Sequence, residues 1–172
     1  MKELDLKAEI LLSYSKANTE RVAKLIDQDE ELFQKLIRIY FDMADIELAK
    51  KAAWILSHSI RQYTYLINPY IKKLIKYIDK PGQHDAIKRN GLKALELTTI
   101  PEKHYGPLAD ICFRFVMSGK EPIAIKAYSI GILDKIGDEI PEIRQELKLV
   151  LQDLMPYESA GFQSRARKVL SK

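Results

Sequence analysis

Six basic and two aromatic side chains fall at matching places in four stretches of this 172-residue chain: Lys50, Lys51, Arg89, Lys93, Arg165 and Lys168, with Trp54 and Tyr128. His58 and Lys172, each two positions beyond a leucine that anchors its stretch, continue the same alignment. Ammonium and guanidinium groups gathered on one surface attract the opposite charge and steer its approach. Aromatic rings among them add contact area for a peptide or a stacking surface for a base. The chemistry these residues suit is therefore recognition of an anionic polymer. They could hold an acidic protein segment or a nucleic-acid backbone.

Residues that could do covalent or metal chemistry are sparse. His58, His84 and His104 form no His-x3-His or His-Glu-x2-His pair with metal-ligand spacing. His84 precedes Asp85, which reads as a helix N-cap, and His104 reads as a loop residue in "IPEKHYGP". The single cysteine, Cys112, falls on the apolar face of "LADICFRFV" and reads as a core residue. The stretch "KPGQ" lacks the glycine spacing and Lys-Ser/Thr pair of a phosphate loop. Asp134, Asp138 and Glu139 read as a solvated run at a helix end. The expectation is a protein that is not an enzyme and that needs neither metal nor cofactor.

The elements that position the cationic residues are visible as a repeat. "AIKRNGLKALEL" (86–97) and "AIKAYSIGILDK" (124–135) are near copies, and their anchors Leu95 and Leu133 are 38 residues apart. At offsets −8, −4, −1 and 0 the four stretches read Leu48, Ala52, Ile55, Leu56; Ile87, Gly91, Ala94, Leu95; Ile125, Ser129, Ile132, Leu133; and Phe162, Ala166, Val169, Leu170. These offsets share one helix face. A small residue recurs at −4, as the close approach of a neighbouring helix requires. The cationic and aromatic residues occupy offsets −6, −5 and −2, which point away from that face and contain no acid.

Other helices repeat too. Pro69, Pro107 and Pro141 each mark a start, with apolar pairs Ile75 and Ile78, Phe113 and Val116, Leu147 and Val150 at +6 and +9. "KPGQ", "SGKEP" and "MPYESAG" read as breaks. "YTYLINPY" (63–70) reads as a long loop tied down by Tyr63, Tyr65 and Tyr70. Asn90-Gly91 lies inside a helical pattern rather than at a hairpin. Trp54 reads equally as an exposed anchor or as a ring packed between helices.

A two-helix unit of about 40 residues that buries its apolar stripe only by stacking is a helical solenoid repeat. "DAIKRNGLKAL" (Asp85, Ile87, Lys88, Gly91, Leu95) and "EPIAIKAYSIGIL" (Glu121, Ile125, Lys126, Ser129, Leu133) resemble the second helix of HEAT repeats: acid, aliphatic-basic pair, small residue, leucine. Ala49 and Gln163 stand at the basic position in the other two copies. The resemblance to HEAT and armadillo-type proteins covers residues 45–172. It implies an all-α, right-handed α-α superhelix of about four hairpins, whose second helices line a concave face. The expected organisation is one domain: 1–45 an atypical N-terminal cap, 46–82, 83–121 and 122–159 the repeats, and 160–172 a C-terminal capping helix. The chain also resembles HEAT-like alkylpurine DNA glycosylases in setting Trp54 among basic residues. It is shorter than they are, and no Asp-Arg pair aligns with their catalytic positions.

Charge is unevenly spread. Residues 46–82 carry net +5 and 160–172 net +4, whereas 1–45 and 122–159 carry −3 each. The acidic and basic ends could also pair head to tail between molecules. No apolar run is long enough for a membrane span. The start "MKELDLKAEILLSYSK" lacks the unbroken apolar stretch of a secretory leader, and one cysteine suits a reducing compartment, so a cytoplasmic, membrane-free protein is expected. The function expected is a non-catalytic scaffold that binds an acidic protein or peptide segment, with a nucleic-acid binder related to those glycosylases as the alternative.

Overall fold

The computed structural model of the protein describes residues 4–27, 29–61 and 63–172. Among them there is no strand. Ten α-helices follow one another: α1 (Leu6–Leu11), α2 (Lys16–Ile26), α3 (Glu30–Tyr40), α4 (Ile46–Ser59), α5 (Ile71–Ile78), α6 (Asp85–Leu97), α7 (Tyr105–Met117), α8 (Ile123–Glu139), α9 (Pro141–Leu154) and α10 (Ala160–Leu170). No helix among the described residues is long and apolar enough to cross a membrane.

Local chemistry sets most of the helix starts. Side chains of Asp5, Ser15, Asp29, Asp45 and Ser159 accept the backbone N–H three residues on, which satisfies donors that a helix start leaves open. The start of α6 differs from the expected cap. His84, not Asp85, is the N-cap, its Nδ1 accepting from the Ala86 N–H at 3.0 Å. Asp85 instead occupies the first turn and pairs with Lys88 at 3.3 Å. Pro141 opens α9 at its first position, and Pro107 lies in the first turn of α7. Pro69 departs from that pattern, since it lies inside a 3-10 helix, Thr64–Tyr70, that leads into α5. The stretch read as a loop is thus helical. Its rings do tie it down: Tyr63 meets Tyr65 at 6.2 Å, and Tyr70 meets Phe33 of α3 at 6.4 Å.

Two compact units divide the chain, Met1–Thr98 and Thr99–Lys172. In the first, α1 packs on α2, α3 on α4 and α5 on α6, while α4 also packs against α2 and α6. In the second, α7 packs on α8 and α9 on α10, while α8 also packs against α9 and α10. Helices of alternate rank therefore touch each other within each unit as well as their hairpin partners, which is how stacked hairpins bury a stripe that none could bury alone.

The periodic positions are the core. Fifteen of the sixteen residues at offsets −8, −4, −1 and 0 are buried, and only Leu170, at the end of α10, is half-exposed. Gly91 shows why the −4 position is small. A Cβ there would stand 2.6 Å from Ile78 Cγ2 and 2.7 Å from the Tyr40 hydroxyl oxygen. Tyr40 is fully buried, packs edge-on to Tyr77 at 5.2 Å, and donates to the Ile87 carbonyl at 3.3 Å. Burial, then the neighbouring Tyr77, pushes its phenol pKa well above the ordinary value.

In the second unit the expected solvated acids are not a free run. Asp134 and Asp138 lie within α8, and both pair with Arg144 of α9; Lys172 also pairs with Asp134. Hydrogen bonding to Arg144, then its charge, holds the Asp138 carboxyl below its usual range despite slight burial. Lys126, which occupies the basic position of the repeat, is buried at 5% exposure and pairs with Glu158.

Candidate functional site

Lys51, Trp54 and His58 are three, then four residues apart on α4, so they share one side of the helix. The turn between α1 and α2 brings Tyr14 against them. Its ring meets Trp54 edge-on at 5.6 Å, Lys51 Nζ lies 5.9 Å from its centroid, and His58 also meets Trp54 edge-on at 6.4 Å. Tyr14 is 60% exposed and Trp54 is half-buried. The indole is thus both a packing residue and part of an accessible aromatic surface.

Next to this surface is a cluster of cations. Arg89 and Lys93 are one turn apart on α6, and Arg61 follows the end of α4. The Lys93 ammonium, half-buried, donates to the Ser57 hydroxyl at 3.4 Å; that hydroxyl donates in turn to the Trp54 carbonyl at 2.9 Å. Burial lowers the Lys93 pKa most, and the charges of Arg61 and Arg89 lower it further. Among the described residues no carboxylate forms an ion pair with Arg61, Arg89 or Lys93.

His58 feels the same field. Burial lowers its pKa first, then Lys93 and Arg61, with Lys16 adding a smaller push and Glu20 of α2 opposing them. The unfolded chain takes up this proton near the ordinary imidazole value of about 6.5, and the folded chain only at lower pH. Between those two pH values the unfolded state binds more protons, so stability falls as pH drops below about 6.5. Thermal melts from pH 7.5 to 5.5 are expected to show a declining midpoint, and His58→Gln should flatten that decline. An equal decline in the variant would assign it to other groups.

The remaining residues of the expected face divide. Lys50 turns to Glu47 on its own helix, with 2.8 and 3.1 Å contacts to the two carboxylate oxygens. That bond and the Lys50 charge lower the Glu47 pKa. An acid therefore sits beside a face that is acid-free at the aligned positions. A cleft between α2 and α4 beside His58 is lined by both acids and a base, Glu20, Asp27 and Lys24, so the acid-free character of the aligned positions does not extend into it. Two aligned positions point inward rather than outward: Asn90, whose amide donates to the Ala86 carbonyl at 2.8 Å, and Gly131. In the second unit Tyr128 of α8 and Arg165 of α10 are half-buried and Lys168 of α10 is exposed, on two helices that pack together.

Tyr14, Ser57 and Arg61 have no counterpart in the sequence alignment. Tyr14 lies in a turn, Arg61 lies beyond the helix, and Ser57 follows an anchor leucine, so no periodic pattern marks them.

Cys112 is buried, and desolvation pushes its thiol up to about 12, so it carries no thiolate near neutral pH. Among the described residues no three of His, Cys, Asp and Glu are grouped to hold a metal ion.

Residues 6–172 match the HEAT repeat domain family. No curated protein and no solved structure matches the chain. The family's architecture is a helical repeat scaffold, and the stacked helices and buried small residues described above have that form. The chain belongs to the HEAT repeat domain family, as an all-α solenoid.

Proposed function

We propose that this chain is a non-catalytic scaffold that binds an acidic protein segment, with the α4–α6 face of its first unit as the principal contact. The observation that carries this reading is the convergence of Arg61, Arg89 and Lys93 without a carboxylate partner among the described residues, next to the Tyr14–Trp54–His58 rings. A protein that kept these cations only for solubility would gain nothing by half-burying Lys93 among like charges. Lys51 supplies further charge at the aromatic edge, and Lys50 does so when its exposed Glu47 partner exchanges with a ligand carboxylate. Tyr128, Arg165 and Lys168 give the second unit a similar set, proposed as a contact of its own.

Nucleic acid is the competing ligand. Trp54 is half-buried and already meets two neighbouring rings edge-on, which suits contact with side chains better than a fully open platform for a base. Fluorescence anisotropy with a labelled Asp/Glu-rich peptide, a labelled single strand and a labelled duplex, each at two salt concentrations, separates the readings. The peptide should bind, and weaken moderately with salt. Changing Lys51, Arg89 and Lys93 together to Glu should weaken it by at least about tenfold while far-UV circular dichroism stays unchanged. Tight duplex or single-strand binding with a steep log-linear salt dependence would replace the protein-segment reading with the nucleic-acid one.

A further inference from the structure

We infer that Arg61, Arg89 and Lys93, the last held in place by the buried Ser57 hydroxyl, form a seat for a dianionic phosphoryl group carried on the bound acidic segment. This rests on the acidic-segment reading and goes further, since it names the group that anchors the segment. Lys93 of α6 reaches Ser57 in the last turn of α4 at 3.4 Å, Arg89 stands one turn before Lys93 on α6, and Arg61 follows four residues after Ser57 at the end of α4; the two guanidiniums stay charged at any physiological pH. A carboxylate offers two oxygens and a single charge. A phosphoserine or phosphothreonine offers three terminal oxygens and close to two charges near neutral pH, and arginine's planar fork matches phosphate geometry.

The support beneath Lys93 is also specific. Ser57 is fully buried and spends its own proton on the Trp54 carbonyl. Its oxygen is left to accept from the Lys93 ammonium at 3.4 Å. That single neutral contact is long for a charged donor, so two further ammonium protons remain for a ligand. Burial and the two arginines work against the Lys93 charge in the free protein. A dianion brought among the three would relieve that repulsion, whereas water only dilutes it. The charged groups nearby on α2, Lys16 and Glu20, act on His58, and Glu47 is held by Lys50; among the described residues no carboxylate forms an ion pair with the three cations of the seat.

The test uses the full chain and three versions of one Asp/Glu-rich peptide, carrying serine, phosphoserine or glutamate at the central position. The phosphoserine peptide should bind about tenfold more tightly than the serine peptide and clearly better than the glutamate one. In Lys93→Met, which keeps the apolar stem and removes the charge, that advantage should shrink to about twofold or less, while the thermal midpoint holds or rises because a disfavoured charge is gone. Equal binding of the phosphoserine and serine peptides overturns the seat, as does an advantage that survives in both Lys93→Met and the double variant Arg61→Gln, Arg89→Gln. Inorganic phosphate titrated against the 15N-labelled chain at constant ionic strength reports on the seat independently of any peptide. Saturable shifts of the Ser57, Arg61 and Lys93 amides in the wild type, absent in Lys93→Met, support it even if no peptide binds, and in that case only the acidic-segment reading fails. No phosphate response and no phosphoserine advantage overturn it.

Discussion

Replacing Gly91 by leucine is expected to cost the first unit about 3 kcal/mol or more, because overpacking a filled core costs about 1–3 kcal/mol even for smaller insertions. The first added carbon already lies 2.6 Å from Ile78 Cγ2 and 2.7 Å from the Tyr40 hydroxyl oxygen, with Leu74 Cδ1 at 3.3 Å. Those neighbours cannot swing aside into solvent, since Tyr40, Leu74 and Ile78 are each fully buried. Moving Tyr40 would also break its bond to the Ile87 carbonyl. Against this stands a gain of about 1 kcal/mol, the cost of glycine relative to alanine in a helix interior, which is too small to compensate. Urea unfolding followed by circular dichroism would measure the loss. Gly106→Ala is the control: that glycine lies in the first turn of α7 with nothing within 4 Å of an added Cβ, and the change should be neutral or slightly stabilising. If Gly91→Leu melted like the wild type, the close approach of α6 to Tyr40 and Ile78 would be wrong.

The second large effect is expected in the other unit. Glu158→Ala should destabilise it by about 2–3 kcal/mol, somewhat below the 3–5 kcal/mol typical of breaking a fully buried pair. The Lys126 side chain is only 6% exposed and that of Glu158 is 20% exposed, so water screens the acid in part and the ammonium hardly at all. Without Glu158 the ammonium keeps one favourable contact, the Phe162 ring at 5.7 Å from its nitrogen. The discriminating variant is the double one, Lys126→Met with Glu158→Ala. Removing both charges should cost less than removing the acid alone, because the penalty comes from a buried charge left without its partner. Equal losses in the single and double variants would mean that the side chains matter through packing and not through charge.

These two sites show which parts of the molecule could be read from the chain. The offsets −8, −4, −1 and 0 named the buried face of four helices in two units, because a 3.6-residue period records burial within a dozen consecutive residues. The small residue at −4 also followed from the pattern alone, and Gly91 shows the contact that demands it. The capping chemistry was less legible. Asp85 and His84 are both able to cap, and which one does so depends on backbone angles at the junction. The pairing of Lys126 with Glu158, 32 residues away, and of Asp134 with Lys172, 38 residues away, leaves no local trace.

The cationic face shows the same division. Its helical members, Lys51, Trp54, His58, Arg89 and Lys93, share offsets and could be gathered from the sequence. Tyr14 and Arg61 come from a turn and a helix end, where no period operates, and Lys50 is diverted by an acid three residues earlier on its own helix. The amino-acid sequence by itself determined that the chain is a stack of amphipathic hairpins and which stripe of each helix faces inward, since burial of apolar area acts within single helices. Only the tertiary structure decided which charges find an opposite charge and which, among the described residues, have no carboxylate partner, because a Coulombic contact depends on a separation of a few ångströms between groups that the chain brings together from far apart.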